Sequence, residues 1–73
     1  MHPMANTYTS ILRKDGDWWI GWVEEVPGVN CQERTREELL ESLREALRDI
    51  IDLNREAARS VAGDQAEEAL ITA

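Results

Sequence analysis

The sequence predicts an α+β domain: a three- or four-stranded, mainly antiparallel sheet in the order β-β-β-α-β, with one long helix packed on one face. Three observations predict it. Two strand-like runs flank Asp15-Gly16-Asp17, a Thr35 capping signal opens a run of apolar residues spaced by three and four, and 73 residues leave room for one domain only.

Residues 7–14, Thr-Tyr-Thr-Ser-Ile-Leu-Arg-Lys, are rich in β-branched and aromatic types and read as the first strand. Asp15-Gly16-Asp17 is a tight turn in which Gly16 supplies the positive φ a hairpin needs. Residues 18–25, Trp-Trp-Ile-Gly-Trp-Val-Glu-Glu, are the returning strand. Side chains on a strand alternate faces, so one face carries Trp18, Ile20 and Trp22 and the other Trp19, Gly21 and Val23. Both faces are apolar. An antiparallel sheet with a helix on one side and water on the other has one polar face. Three indoles within five residues therefore call for a cover on the second face as well. Trp19, Gly21 and Val23 are assigned to the helix side, because a glycine permits close approach of the helix.

Val26-Pro27-Gly28-Val29 has Pro and Gly at the two central positions of a type II turn and leads into a short third strand at 29–33. Cys31 packs there as a small hydrophobe. Thr35-Arg36-Glu37-Glu38 is a capping box, and Glu37 and Glu41 lie near the positive end of the helix dipole. From Arg36, residues Leu40, Leu43, Leu47, Ile50, Asn54, Ala57 and Val61 draw one stripe, widened by Leu39, Ala46, Ile51 and Ala58; Gly63 is the C-cap. Such a helix, placed at 35–62 with its cap, is roughly 39 Å long, whereas an eight-residue strand covers about 27 Å. The sheet cannot cover it all. Either the helix breaks near Asn54, or its small-residue end (Ala57, Ala58, Val61) packs on another subunit. Residues 63–68 read as a polar linker and 69–73 as a fourth strand or an unstructured tail; 1–6 read as a flexible N-terminus.

A domain of this size buries only about 60% of its unfolded surface, and many such domains are stapled by disulfides, metals or self-association. Cys31 is the only cysteine and His2 the only histidine, so neither a disulfide nor a metal is expected. Self-association remains: a homo-oligomer, dimer or higher. Fifteen acidic residues against eight basic ones give a net charge of −7. That balance disfavours nucleic acid and anionic lipid and suits a basic protein partner. No apolar run approaches the roughly 20 residues that span a bilayer, and the opening residues are no signal peptide. A lone cysteine without an export signal points to the cytoplasm.

Catalytic chemistry is not legible. No histidine lies in the folded region, no glycine-rich loop precedes a helix, and Glu24 and Glu25 point to opposite faces of the strand on which they are placed. No cofactor is implied and the chain reads as a non-enzyme. Arg44, Arg48, Arg55 and Arg59 are interleaved with Glu41, Glu45, Asp49, Asp52 and Glu56, the pattern of an ion-paired, solvent-facing helix and not of a DNA-reading one.

The run Lys14-Asp15-Gly16-Asp17, Trp19-Ile20-Gly21-Trp22-Val23, Glu25-Val26-Pro27-Gly28 and Thr35-Arg36-Glu37-Glu38-Leu39, with the amphipathic helix behind it, resembles the N-terminal domain of HicB antitoxins. The resemblance covers about forty residues. In that family an aromatic second strand with a small residue enters an acidic-apolar-Pro-Gly turn, and a third strand ends near a helix-capping Thr; Gly21 stands at the small position here. It implies a partial ribonuclease H-like fold without catalytic acids. It also implies a function: binding a small basic ribonuclease toxin of the HicA kind and blocking its cleavage of messenger RNA. Two departures stand out. Residues 62–73 are too few for the DNA-binding segment many members carry, and Gln32-Glu33-Arg34-Thr35 lacks the glycine often found before the threonine. The candidate interface residues are Trp18, Ile20, Trp22, Glu24, Glu25, Ala57, Ala58 and Val61. The alternative function, from another class, is a self-assembling structural domain of the same fold with no toxin partner.

Overall fold

The computed structural model describes residues 7–72; the N-terminal segment 1–6 and residue 73, the end of the expected fourth strand, lie outside the described residues. Three strands, β1 (Ser10–Asp15), β2 (Trp18–Val23) and β3 (Asn30–Glu33), precede one helix, α1 (Arg36–Ala62). They form an antiparallel sheet in the order β1-β2-β3, with the helix packed against it. This is the α+β architecture expected, with three strands. Residues 69–72, offered by the sequence as a fourth, make no ladder: Leu70 is 100% and Ile71 92% exposed. Two apolar side chains alone cannot order a segment against the backbone entropy it would lose.

The first hairpin closes through two residues, since Asp15 pairs with Trp18. Gly16 takes φ 62° and no other residue of the turn has positive φ, which is the type II′ arrangement whose twist matches the strands. At the open end the strands are shorter than their composition suggests. Ser10 pairs with Val23, and beyond it only the Glu24 amide still donates to the Thr9 carbonyl, at 2.9 Å. Glu24 and Glu25 are therefore not strand residues; they begin the turn into β3. The chain bends because the Val26 amide donates to the carbonyl of Val23 (3.3 Å), and the Val23 amide to that of Val29 (3.1 Å). Gly28, at φ 92°, supplies the left-handed position of the Pro-Gly turn.

Val23, Val29, Leu39 and Leu43 form the fully buried core, with Leu12, Trp19, Val26, Cys31, Ala46, Leu47 and Ile50 packed around it. The strand register puts Leu12, Gly21 and Cys31 side by side on the helix face. Gly21 is the point of closest approach. A Cβ there would stand 2.9 Å from the Ile11 carbonyl oxygen, 3.0 Å from Leu39 Cδ2 and 3.1 Å from Leu12 Cδ2. The missing side chain is the space Leu39 occupies, and Leu39 is the most deeply buried residue of the chain.

Thr35 caps α1: its hydroxyl accepts the Glu38 amide at 3.1 Å and donates to Glu38 Oε1 at 2.9 Å. The carboxylate of the expected box thus closes on the Thr hydroxyl and not on the cap amide. Ser42 donates to the Glu33 carboxylate at 2.6 Å and ties the helix to β3. The helix does not break near Asn54. It runs to Ala62, where Gly63 (φ 75°) ends it and donates its amide to the Arg59 carbonyl at 3.2 Å. Every described residue from Asp52 onward is exposed, so the last eleven helical residues, roughly 16 Å of rod, stand beyond the sheet. Among the described residues no helix is long and apolar enough to cross a membrane.

Candidate functional site

The face of the sheet away from the helix is the candidate site. Alternation on β2 puts Trp18, Ile20 and Trp22 together there, and their cross-strand partners complete the surface: Asp15, Arg13 and Ile11 on β1, Gln32 and Asn30 on β3. Its centre is apolar (Ile11, Ile20, Trp22), and its rim is amide and charge. Trp18 is 36% exposed and Trp22 40%, with Ile20 and Ile11 half-buried. No element among the described residues covers them. The indoles do not hide by stacking on one another: Trp18 is instead roofed by Arg34, whose guanidinium carbon lies 4.2 Å from the ring centroid. A guanidinium over an indole leaves its own donors free at the rim of the patch, where a carboxylate or phosphate can meet them. On the opposite face Lys14 lies 5.7 Å from the centroid of Trp19, a longer contact that shields the sheet end of the core.

The other expected interface residues do not join this patch. Glu24 and Glu25 sit in the turn after β2. Glu25 is engaged internally: its carboxylate accepts the Thr9 amide at 2.8 Å, and this hydrogen bond holds its pKa below the ordinary glutamate value. It tethers the turn to the residue that precedes β1; both Glu24 and Glu25 are exposed, and Glu24 is the one whose carboxylate makes no such tether. Ala57, Ala58 and Val61 lie on the projecting half of α1, all exposed and at least 21 Å along the helix from Leu43. They constitute a second, separate surface. Cys31 lies inward among the core residues, and burial together with the Glu33 carboxylate pushes its thiol pKa up, away from nucleophilic chemistry.

A groove that sequence reasoning missed runs between β1 and the helix. It has a volume of about 460 Å³ and is lined by Tyr8, Leu40, Leu47 and Ile51, with Arg44 and Arg48 among its polar residues. The available signal was the width of the helical stripe. Leu40 and Ile51 lie off the axis defined by Leu39 and Leu43, and Arg44 and Arg48, one turn apart, flank that side. Among the described residues no group of histidine, cysteine and acidic side chains is arranged to hold a metal ion. No family model, curated protein or solved structure matches this chain.

Proposed function

We propose that this chain is an antitoxin-like protein-binding module of the HicB kind, which binds and neutralises a small, basic, HicA-type ribonuclease in the cytoplasm. The observation that carries the reading is the uncovered outer sheet face, where Trp18 and Trp22 keep more than a third of their surface in solvent beside Ile11 and Ile20. Large exposed aromatics grouped on one rigid element mark a protein interface, and desolvated indoles are the side chains that dominate such interfaces energetically. Net charge supports a basic partner. At −7 the chain steers a cationic protein toward itself and repels RNA, so that it competes for the toxin and not for the toxin's substrate. The β-β-β-α part of the element order and the turn chemistry are compatible with the family resemblance carried by residues 14–39, although the last strand of that order is not formed.

The test is co-expression with a small basic ribonuclease of the HicA kind, followed by co-purification and an RNA-cleavage assay on the separated and recombined components. The expected result is a stoichiometric complex in which cleavage is abolished, and from which Trp18→Ala/Trp22→Ala releases an active ribonuclease. If the chain assembles only with itself and leaves that ribonuclease active, the antitoxin reading is wrong and the self-assembling structural domain takes its place.

A further inference from the structure

We infer that the outer sheet face takes a partner segment bearing a carboxylate beside an apolar anchor, with the carboxylate held between Arg13 and Arg34 above Trp18 and Ile20. The inference rests on the proposed reading of this face as a protein interface and adds the chemistry of the segment that docks there.

The chain and this face differ in charge. Fifteen acids against eight basic residues give the chain −7, yet most of the acids lie on α1 and the residues after it. On the outer face the strand register places one acid, Asp15, and one cation, Arg13, and Arg34 comes over the same face from beyond β3. Exposed charges farther apart than about 8 Å are largely screened at physiological salt, so a docked segment meets these side chains and not the net charge. The net charge acts on the approach of a basic partner; the local set acts on the contact.

Both arginines serve the same indole. The Arg34 guanidinium carbon lies 4.2 Å from the Trp18 ring centroid. Arg13 pairs across the strands with Ile20 and is therefore diagonal to Trp18, about 7–8 Å away, within the reach of its long side chain. Among the described residues neither arginine makes an ion pair or a side-chain hydrogen bond, although both are exposed. Each keeps the planar donor fork that binds a carboxylate through two bonds. Asp15, opposite Trp18, and Asp17, in the hairpin turn, are the acids at this end of the sheet, and neither pairs with them. At the other end the row of Ile11, Trp22 and Asn30 carries no charge. The face thus has an apolar seat at Trp22 and two cations at Trp18, four strand residues or roughly 13 Å apart. An extended segment whose aliphatic residue and acid are four positions apart on one side matches that spacing. A nucleic acid strand also stacks on indoles beside arginines, but it brings one phosphate per nucleotide to a chain that is otherwise acidic. One carboxylate fits the charge that is there.

Nitrogen-15 NMR of the full chain, reading the three indole N–H signals, tests this without a ribonuclease. The probe is the end-capped peptide Ser-Leu-Thr-Leu-Thr-Glu-Ser, with variants in which Gln or Lys replaces the Glu. The Glu peptide is expected to shift the Trp18 and Trp22 signals and not that of Trp19. It is expected to bind about tenfold more tightly than the Gln peptide, with the Lys peptide weakest. Arg13→Gln/Arg34→Gln is expected to abolish that order with circular dichroism unchanged. The inference is overturned if the Lys peptide binds as well as the Glu peptide, if no peptide shifts either signal, or if a twelve-residue oligothymidylate shifts them more. A second measurement uses the HicA-type ribonuclease, where Arg13→Gln/Arg34→Gln is expected to raise the Kd about tenfold. A face that met the basic surface of the ribonuclease would bind more tightly once its own cations were removed, a result that overturns the inference and leaves the antitoxin reading standing. If wild type binds no such ribonuclease, the antitoxin reading fails, and the peptides still decide the chemistry of the face.

Discussion

Gly21 shows most directly how one residue type fixes the packing. It lies mid-strand in β2, where glycine is a poor strand former, and its value is the side chain it lacks: Leu39 fills that space. Of the three atoms an added Cβ would meet, the Ile11 carbonyl oxygen is backbone and cannot turn aside. Gly21→Ala is therefore expected to destabilise the fold by about 1–3 kcal/mol, the usual cost of overpacking a tight core. Urea denaturation monitored by tryptophan fluorescence measures it, and a midpoint equal to that of wild type would mean the helix does not sit this close. Trp18 and Trp22, on the same strand, are held only on one side. Neighbouring indoles on β2 thus differ in role through the parity of their positions. Trp19 closes the helix-facing core while the other two stay available.

Among the elements, the turn after β2 is the one whose geometry depends on charge. Its backbone contributes two hydrogen bonds, and the Glu25 carboxylate adds the tether to the Thr9 amide. Because that hydrogen bond lowers the pKa of Glu25 in the folded state, its stabilising contribution is complete above the ordinary glutamate value and lost as pH falls through the depressed one. Comparing wild type with Glu25→Gln, the gap in urea midpoint is expected to be widest near about pH 7 and to close toward about pH 3. A gap that stays constant across the range would show that the carboxylate charge plays no part. The helix divides into two functional lengths. Its first four turns bury Leu39 and Leu43 against the sheet, whereas the stretch from Asp52 is a solvated rod carrying Ala57, Ala58 and Val61 toward whatever it meets. A continuous helix survives there because Arg, Glu, Ala and Leu are strong helix formers and Gly63 supplies a clean stop.

Among the described residues, the sheet has one covered face and one bare one, and the core proper consists of four buried side chains. That is a small core for 73 residues, and association on the bare face adds the buried apolar area a short chain lacks. Trp22→Ala is expected to shift sedimentation toward smaller species while circular dichroism stays intact, since Trp22 contributes nothing to the helix-side core. Unchanged mass with unchanged secondary structure would rule the outer face out as an interface.

Much of this architecture was written locally. The two-residue hairpin, the Pro-Gly turn, the Thr35 cap and the Gly63 stop each depend on residues within four positions of one another, so short-range sterics and hydrogen bonding determine them from sequence alone. Strand alternation likewise separated Trp18, Ile20 and Trp22 from Trp19, Gly21 and Val23 before any contact was known. What only the tertiary structure decided depends on residues far apart in the chain. Glu25 left the strand for a tether to Thr9, the groove arose where β1 and the helix flank meet, and residues 69–72 did not pair with the sheet. Periodicity specifies which face of an element is apolar; only packing reveals how much of that face the rest of one short chain can reach to cover.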